Sequence, residues 1–82
     1  MALSFEWDDE KAAANLIKHR VAFEDAVLAF YDPHRLDDRF LTIGLVDTAE
    51  LAVAYTVRDD TIRLISARKA ERHERHDYWE NR

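Results

Sequence analysis

The sequence predicts an α+β fold in which two helices cover one face of an antiparallel sheet and leave the opposite face open. In the second half of the chain, three segments alternate apolar and polar residues, as strands with one buried face do. The first half instead contains helix-forming residues with capping signals at both ends. With one Gly and one Pro among 82 residues, the chain has no room for a flexible linker, so we expect a single domain over residues 1–82.

The N-terminal half is predicted to form a short strand and two helices. Phe5–Trp7 alternates like a strand, and Asp8 is suited to cap a helix that ends near Arg20 with cations in its last turn. The apolar stripe of this helix is predicted to consist of Ala12, Leu16 and His19. A second helix is predicted from about Phe23 to Tyr31, because the Asp32-Pro33 pair that follows disfavours helix.

The C-terminal half is predicted to form three strands and a last helix, which gives the order β-α-α-β-β-β-α. After a polar loop at His34–Asp38, the predicted strands are Arg39–Val46, Glu50–Arg58 and Thr61–Ala67. Asp59-Asp60 forms the two-residue turn of a hairpin. The last helix, from about Arg68 to Glu80, is almost entirely charged.

The register of this hairpin predicts an apolar face and a cationic face. If Thr56 lies opposite Arg63, the core face consists of Val53, Tyr55, Val57, Ile62 and Leu64. The other face then consists of Ala54, Thr56, Arg58, Thr61 and Arg63. The last helix has only Ala70, Tyr78 and Trp79 for docking. We therefore expect it to be solvated or completed by a partner. We expect the free chain to self-associate or to be best behaved together with a partner chain.

The charge and composition exclude several classes of protein. The net charge is −5, but residues 61–82 carry six basic and four acidic side chains, against six and thirteen in residues 1–60. This balance argues against tight, sequence-independent nucleic-acid binding, yet it permits a local cationic site. There is no Cys, so thiolate metal sites and disulfides are excluded. No signal peptide or apolar run of ~20 residues is present, and we expect a cytoplasmic protein without a membrane span.

Several short motifs follow one another along nearly the whole chain. They are Phe5-Glu-Trp-Asp8, Lys11-Ala-Ala-Ala-Asn15, Lys18-His19-x-Val21-x-Phe23-Glu24-x-Ala26, Phe40-Leu-Thr-Ile-Gly44, Tyr55-Thr-x-Arg58, Ile62-Arg-Leu-Ile-Ser-Ala-Arg68, Ala70, Glu74-Arg75 and Tyr78. In order and spacing they resemble the BrnT family of toxins, in the RelE-like superfamily of type II toxin–antitoxin systems. One departure is Arg20, where that family usually has Gly.

The resemblance implies a RelE-like fold and an endoribonuclease activity that arrests growth. It also implies a neutralising BrnA-like antitoxin, which supplies the DNA-binding part, so that this chain meets DNA only through its partner. A homodimer or a toxin–antitoxin heterotetramer is the expected assembly. No cofactor is implied.

Metal-independent RNA cleavage requires a base, an acid and cations that stabilise charge on the phosphorus centre. The candidate catalytic residues are Arg68, His19, Arg58, Lys18 and Glu74. The candidate substrate-binding residues are Arg63, Arg20 and Tyr78. Histidine changes charge nearest neutral pH, which makes His19 the first candidate for proton transfer. Arg58 and Arg63 share the predicted open face, where two guanidinium groups can bind one phosphate.

Each candidate also has a structural interpretation. His19 would pack beside Leu16 as a capping core histidine, and Lys18 would be a cation at the helix C-terminus. Arg68 would pair with acidic residues of the first helix. His73 and His76 with Asp77 suggest a metal site. The sequence offers no second pair of ligands, so we predict no bound metal ion. The alternative function is a non-catalytic protein-binding module that uses the open sheet face and the charged last helix.

Overall fold

The computed structural model describes residues 3–81 as a five-stranded sheet with helices on both faces. The elements are β1 (Ser4–Glu6), α1 (Asp9–His19), α2 (Phe23–Ala26) continued by a 3-10 helix (Val27–Tyr31), β2 (Leu36–Asp38), β3 (Leu41–Val46), β4 (Ala49–Arg58), β5 (Thr61–Lys69) and α3 (Arg72–Glu80). The strand order is β1-β5-β4-β3-β2. All neighbours are antiparallel except β1, which pairs parallel with β5. The α+β class is confirmed, but the sheet is mixed rather than purely antiparallel.

Helix α1 begins and ends as its sequence predicts. The Asp8 carboxylate accepts hydrogen bonds from the backbone N–H groups of Glu10 and Lys11 at 2.8 and 3.2 Å. Arg20 ends the helix in the left-handed conformation, with φ 60°. No helix among residues 3–81 has the length and apolar character needed to cross a bilayer.

Arg20→Gly should stabilise the protein by about 1 kcal/mol, because glycine adopts the left-handed conformation without the steric cost that a Cβ imposes. Urea denaturation followed by circular dichroism measures this change. Arg20→Ala is the matched control, since alanine also has a Cβ and should leave stability within about 0.5 kcal/mol. Equal stability of the glycine and alanine variants would contradict the strain argument.

The predicted stripe of α1 is buried only in part, because Ala12 and His19 are half-buried but Leu16 is not. Leu16 is 50% exposed, whereas Asn15 is only 6% exposed. The reason is that β1 ends at Glu6, so the edge of β5 beyond that point has no neighbouring strand, and α1 lies along it. There the Asn15 amide donates to the Ala67 carbonyl oxygen at 2.8 Å and accepts from the Ala67 N–H at 3.0 Å. Asn15 thus takes the place of a paired strand.

The main core lies between the sheet and the helices α1 and α2. Its fully buried members include Phe23, Val53 and Leu64, each at most 1% exposed. The 3-10 helix approaches β3 closely at Gly44, where an added Cβ would lie 2.5 Å from the carbonyl oxygen of Ala29. The only glycine of the chain therefore sets the distance between this helix and the sheet.

The β4–β5 hairpin confirms the predicted register. Thr56 lies opposite Arg63, and the turn residues Asp59 and Asp60 have φ of 51° and 64°. An irregularity near Ile65 then shifts the pairing by one residue. One core assignment is wrong: Val57 is 57% exposed, because the hairpin extends beyond the helices that cover the rest of β4.

Strand β2 lies where the sequence predicts a polar loop. Leu36 pairs with Ile43, and Asp38 pairs with Leu41, across a tight turn in which Arg39 has φ 57°. The strand predicted to begin at Arg39 therefore begins at Leu41, and an additional strand precedes it. Leu36 is the only apolar residue of β2, so alternation gave no signal.

Helix α3 is docked rather than free. It begins at Arg72, not Arg68, because β5 continues to Lys69. Tyr78 is 1% exposed and belongs to a second core with Ile43, Ala52 and Ala70. The sheet face predicted to be open is therefore covered over part of its area. This docking removes the reason to expect self-association of the free chain.

Two side-chain hydrogen bonds hold the end of α3. The Tyr78 hydroxyl donates to Asp32, and the Trp79 indole donates to Glu50 at 2.7 Å. Burial alone would raise the pKa of Asp32, but hydrogen bonds from Tyr78 and from two backbone N–H groups outweigh it and lower the pKa. Asp32 also accepts from the N–H of Leu45 at 2.8 Å. One carboxylate therefore joins α3 to the edge of β3.

Candidate active site

Arg68 is held in a fixed orientation by Glu74. Its two terminal nitrogens donate to the two carboxylate oxygens of Glu74 at 2.7 and 3.0 Å, a bidentate geometry that fixes the guanidinium plane. The Arg68 side chain remains 33% exposed, whereas Glu74 is 6% exposed. Its partner is therefore α3 and not the acidic first helix. The arrangement offers an oriented cation to solvent.

This arrangement favours the ionised form of Glu74. The hydrogen bond from Arg68 lowers its pKa, and burial opposes that shift without reversing it. The same carboxylate accepts from the backbone N–H of Glu71 at 2.7 Å and thereby closes a capping box at the start of α3. With its oxygens used as acceptors, Glu74 is suited to position Arg68 rather than to donate a proton.

The arginines on the α3 side of the sheet form a row rather than a cluster. Arg68 lies opposite Ala52, six residues before Arg58 on β4, which separates the two arginines by about 20 Å at ~3.3 Å per residue. Arg63 lies between them along the hairpin, and its guanidinium pairs with Glu6 on β1 at 3.3 Å. A single phosphate therefore cannot contact Arg58 and Arg68 together.

His19 and Lys18 lie in a groove between α1 and the edge of β5. The groove has a volume of about 220 Å³, and Lys11, Ile65 and Ser66 also line it. Ser66 lies opposite Ala54, so it shares the α3 side of the sheet with Arg68, two residues further along β5. Ser66 thus connects the groove of His19 with the exposed side of Arg68.

Two predicted substrate-binding residues are not part of the exposed site. Tyr78 is 1% exposed in the second core, where it anchors α3. Arg20 lines a cleft with Asp25 and Asp47, next to core residues packed under α1 and α2. Tyr78 packs on the same side of the sheet as Arg68, but its burial keeps it from contacting a substrate. Arg20 lies in a separate cleft that Arg68 does not line.

The residues near the start of α3 include a possible metal-ligating group. Single ligand atoms of Glu71, His73 and Glu74 lie within 4.8 Å of one another. Both Glu74 oxygens already accept from Arg68, so a metal ion would compete with the guanidinium for this carboxylate. This group differs from the His73, His76 and Asp77 set considered from sequence.

Sequence reasoning missed Lys11 and Ser66 as members of the groove. Lys11 precedes Lys18 by seven residues, which places both on one side of a helix. That spacing is the signal by which Lys11 was detectable. Ser66 had no such signal, because its position depends on the irregular pairing near Ile65.

Comparison with known proteins identifies the family. A family model described as the ribonuclease toxin BrnT of type II toxin–antitoxin systems matches residues 7–74. The crystal structure of the Brucella abortus ribonuclease toxin, BrnT, has the same fold, with a TM-score of 0.68 and 23% sequence identity over 87% of this chain and 100% of that chain. No significant match was found among curated proteins. The family model matches well over half of the chain. This chain therefore belongs to the BrnT family of ribonuclease toxins of type II toxin–antitoxin systems.

Proposed function

We propose that this protein is an endoribonuclease toxin that cleaves RNA without a metal ion and thereby arrests growth. In this reaction the 2′-hydroxyl attacks the adjacent phosphorus and loses its proton to a base. The bond to the 5′-oxygen breaks, and an acid protonates that oxygen. The observation that carries the proposal is the Arg68 guanidinium, which donates two hydrogen bonds to a buried carboxylate and is still partly exposed.

Arg68 is the cation that stabilises the developing charge on the phosphate oxygens. Stabilisation of this kind is effective when the donor is oriented in advance, and the bidentate contact with Glu74 supplies that orientation. Glu74 acts as a positioning residue, since Arg68 lowers its pKa and keeps it ionised.

His19 is the group proposed for proton transfer, with Lys18 beside it as a further cation. Both line the groove that reaches Ser66, and Ser66 shares a sheet face with Arg68. A phosphate bound over Ser66 would therefore have the proton-transfer group His19 on one side and the stabilising cation Arg68 on the other. Arg58 and Arg63 are proposed to contact RNA further along the same face.

The proposed protein partner is a BrnA-like antitoxin, which neutralises the toxin and supplies the contact with DNA. A net charge of −5 makes direct, sequence-independent DNA binding by this chain unfavourable. The oriented cations of the α3 face give the antitoxin a defined surface to block.

The test is incubation of the purified protein with an end-labelled RNA of defined sequence, with and without EDTA. We expect internal cleavage that EDTA does not reduce, and products that end in a 2′,3′-cyclic phosphate. The matched control is the same RNA with one 2′-deoxynucleotide at the cleavage site. It should resist cleavage there, because the attacking hydroxyl is missing.

Three outcomes would contradict this proposal. Loss of cleavage with EDTA would favour a metal ion at Glu71, His73 and Glu74. Absence of cleavage, with tight binding to the antitoxin, would favour the non-catalytic binding module. Cleavage of the deoxy-substituted RNA would exclude attack by the 2′-hydroxyl.

A further inference from the structure

We infer that the groove between α1 and β5 binds the phosphodiester backbone of the RNA substrate at nucleotides beyond the one that is cleaved. The inference rests on the proposed ribonuclease function and names a substrate contact outside its catalytic residues. Lys11 is the residue that defines this site, because it lies in the groove and has no part in the proposed chemistry.

The charge of the groove is the first argument. Lys11, Lys18 and His19 line it, and no acidic residue does. Neither lysine forms an ion pair with any group in residues 3–81. In a chain with a net charge of −5, two exposed lysines without a carboxylate partner form a local site for a polyanion.

The shape and lining of the groove are the second argument. Lys11 and Lys18 are seven residues apart on α1, which separates them by about 10 Å along the helix axis. This spacing suits an extended anionic chain better than a single anion. Ile65 is the only large apolar residue in the lining. A protein segment would require apolar anchors, because buried apolar and aromatic groups dominate protein interfaces.

The position of the groove is the third argument. Ser66 lines one end of it and shares a sheet face with Arg68. An RNA strand whose cleaved phosphate lies over Ser66, between His19 and Arg68, can therefore continue along α1 to Lys11. The groove extends the binding site along α1, whereas the row of arginines extends it along β4 and β5.

The experiment measures binding of a 2′-O-methyl RNA oligonucleotide, which cannot be cleaved, by fluorescence anisotropy at several salt concentrations. Each phosphate contact contributes about 0.7 to the slope of log K against log salt for single strands. Lys11→Ala should weaken binding and lower that slope by about 0.7. Lys69→Ala is the matched control, because Lys69 is exposed like Lys11 but lies on β5 and lines a different cleft. This variant should leave the slope unchanged.

Cleavage of long and short substrates separates this inference from the proposed function. Lys11→Ala should raise KM for a long RNA more than it lowers kcat, and it should have little effect on a dinucleotide that cannot reach the groove. Cleavage by the wild type with an unchanged salt slope in Lys11→Ala would overturn the groove site alone. Absence of cleavage by the wild type would overturn the proposed ribonuclease function. The salt dependence of oligonucleotide binding would still test the groove site in that case. An unchanged slope together with weaker antitoxin binding would assign the groove to the partner protein.

Discussion

Arg68→Lys should lower the rate of RNA cleavage about 100–1000-fold, which corresponds to about 2.7–4 kcal/mol of lost transition-state stabilisation. Lysine keeps the positive charge near Glu74, but an ammonium group cannot reproduce the two parallel hydrogen bonds at 2.7 and 3.0 Å. The cation would remain while its orientation was lost. Single-turnover cleavage of a labelled RNA measures this effect.

We choose lysine because an alanine variant would lose stability as well as the cation, and its activity would not separate the two effects. Arg68→Ala would leave Glu74, which is 6% exposed, without its charged partner, and an uncompensated buried carboxylate is strongly destabilising. Arg72→Lys on the exposed side of α3 is the matched control and should keep full activity. Full activity of a folded Arg68→Lys variant would remove Arg68 from the proposed chemistry.

Asn15→Ala should destabilise the protein by about 3 kcal/mol or more, because it leaves buried backbone groups without partners at ~1–3 kcal/mol each. The affected groups are the N–H and C=O of Ala67 and the C=O of Val21, all bonded to Asn15 at 2.8–3.0 Å. A domain of this size has only ~5–10 kcal/mol of total stability. Urea denaturation should show a large drop in the transition midpoint.

Asn81→Ala is the control for this substitution, since Asn81 is exposed and bonds only the last turn of α3 at 2.8 Å. Its effect should stay within about 0.5 kcal/mol. Asn15→Asp should be intermediate or worse, because a carboxylate can accept from Ala67 but cannot donate to the two carbonyl oxygens. Wild-type stability of Asn15→Ala would show that water replaces the amide at the sheet edge.

The parts of the fold that local patterns determine were predictable. The β4–β5 register follows from alternation and from the Asp59-Asp60 turn, and Asp8 caps α1 as its residue type suggests. Long-range contacts were not predictable in this way. An asparagine within a helix looks like a surface residue, and only the end of β1 at Glu6 creates the unpaired edge that buries Asn15.

The candidate site was predictable as residue types but not as geometry. Arg68 and Glu74 were both selected from sequence, but their pairing depends on the position at which β5 ends and α3 begins. A helix predicted from Arg68 placed that residue on α3 instead of β5. The docking of α3 depends on Tyr78 reaching Asp32, forty-six residues earlier in the chain, and no local pattern specifies such a contact.

The placement of α1 along β5 also bears on aggregation. Exposed strand edges template pairing between molecules, and proteins limit this with short or charged edge strands. Because α1 and Asn15 cover the long β5, the outermost strands of the described sheet are β1 and β2, each three residues long. Glu6 lies on one, and Asp37 and Asp38 lie on the other. The described part of the chain therefore exposes little backbone on which a fibril can begin.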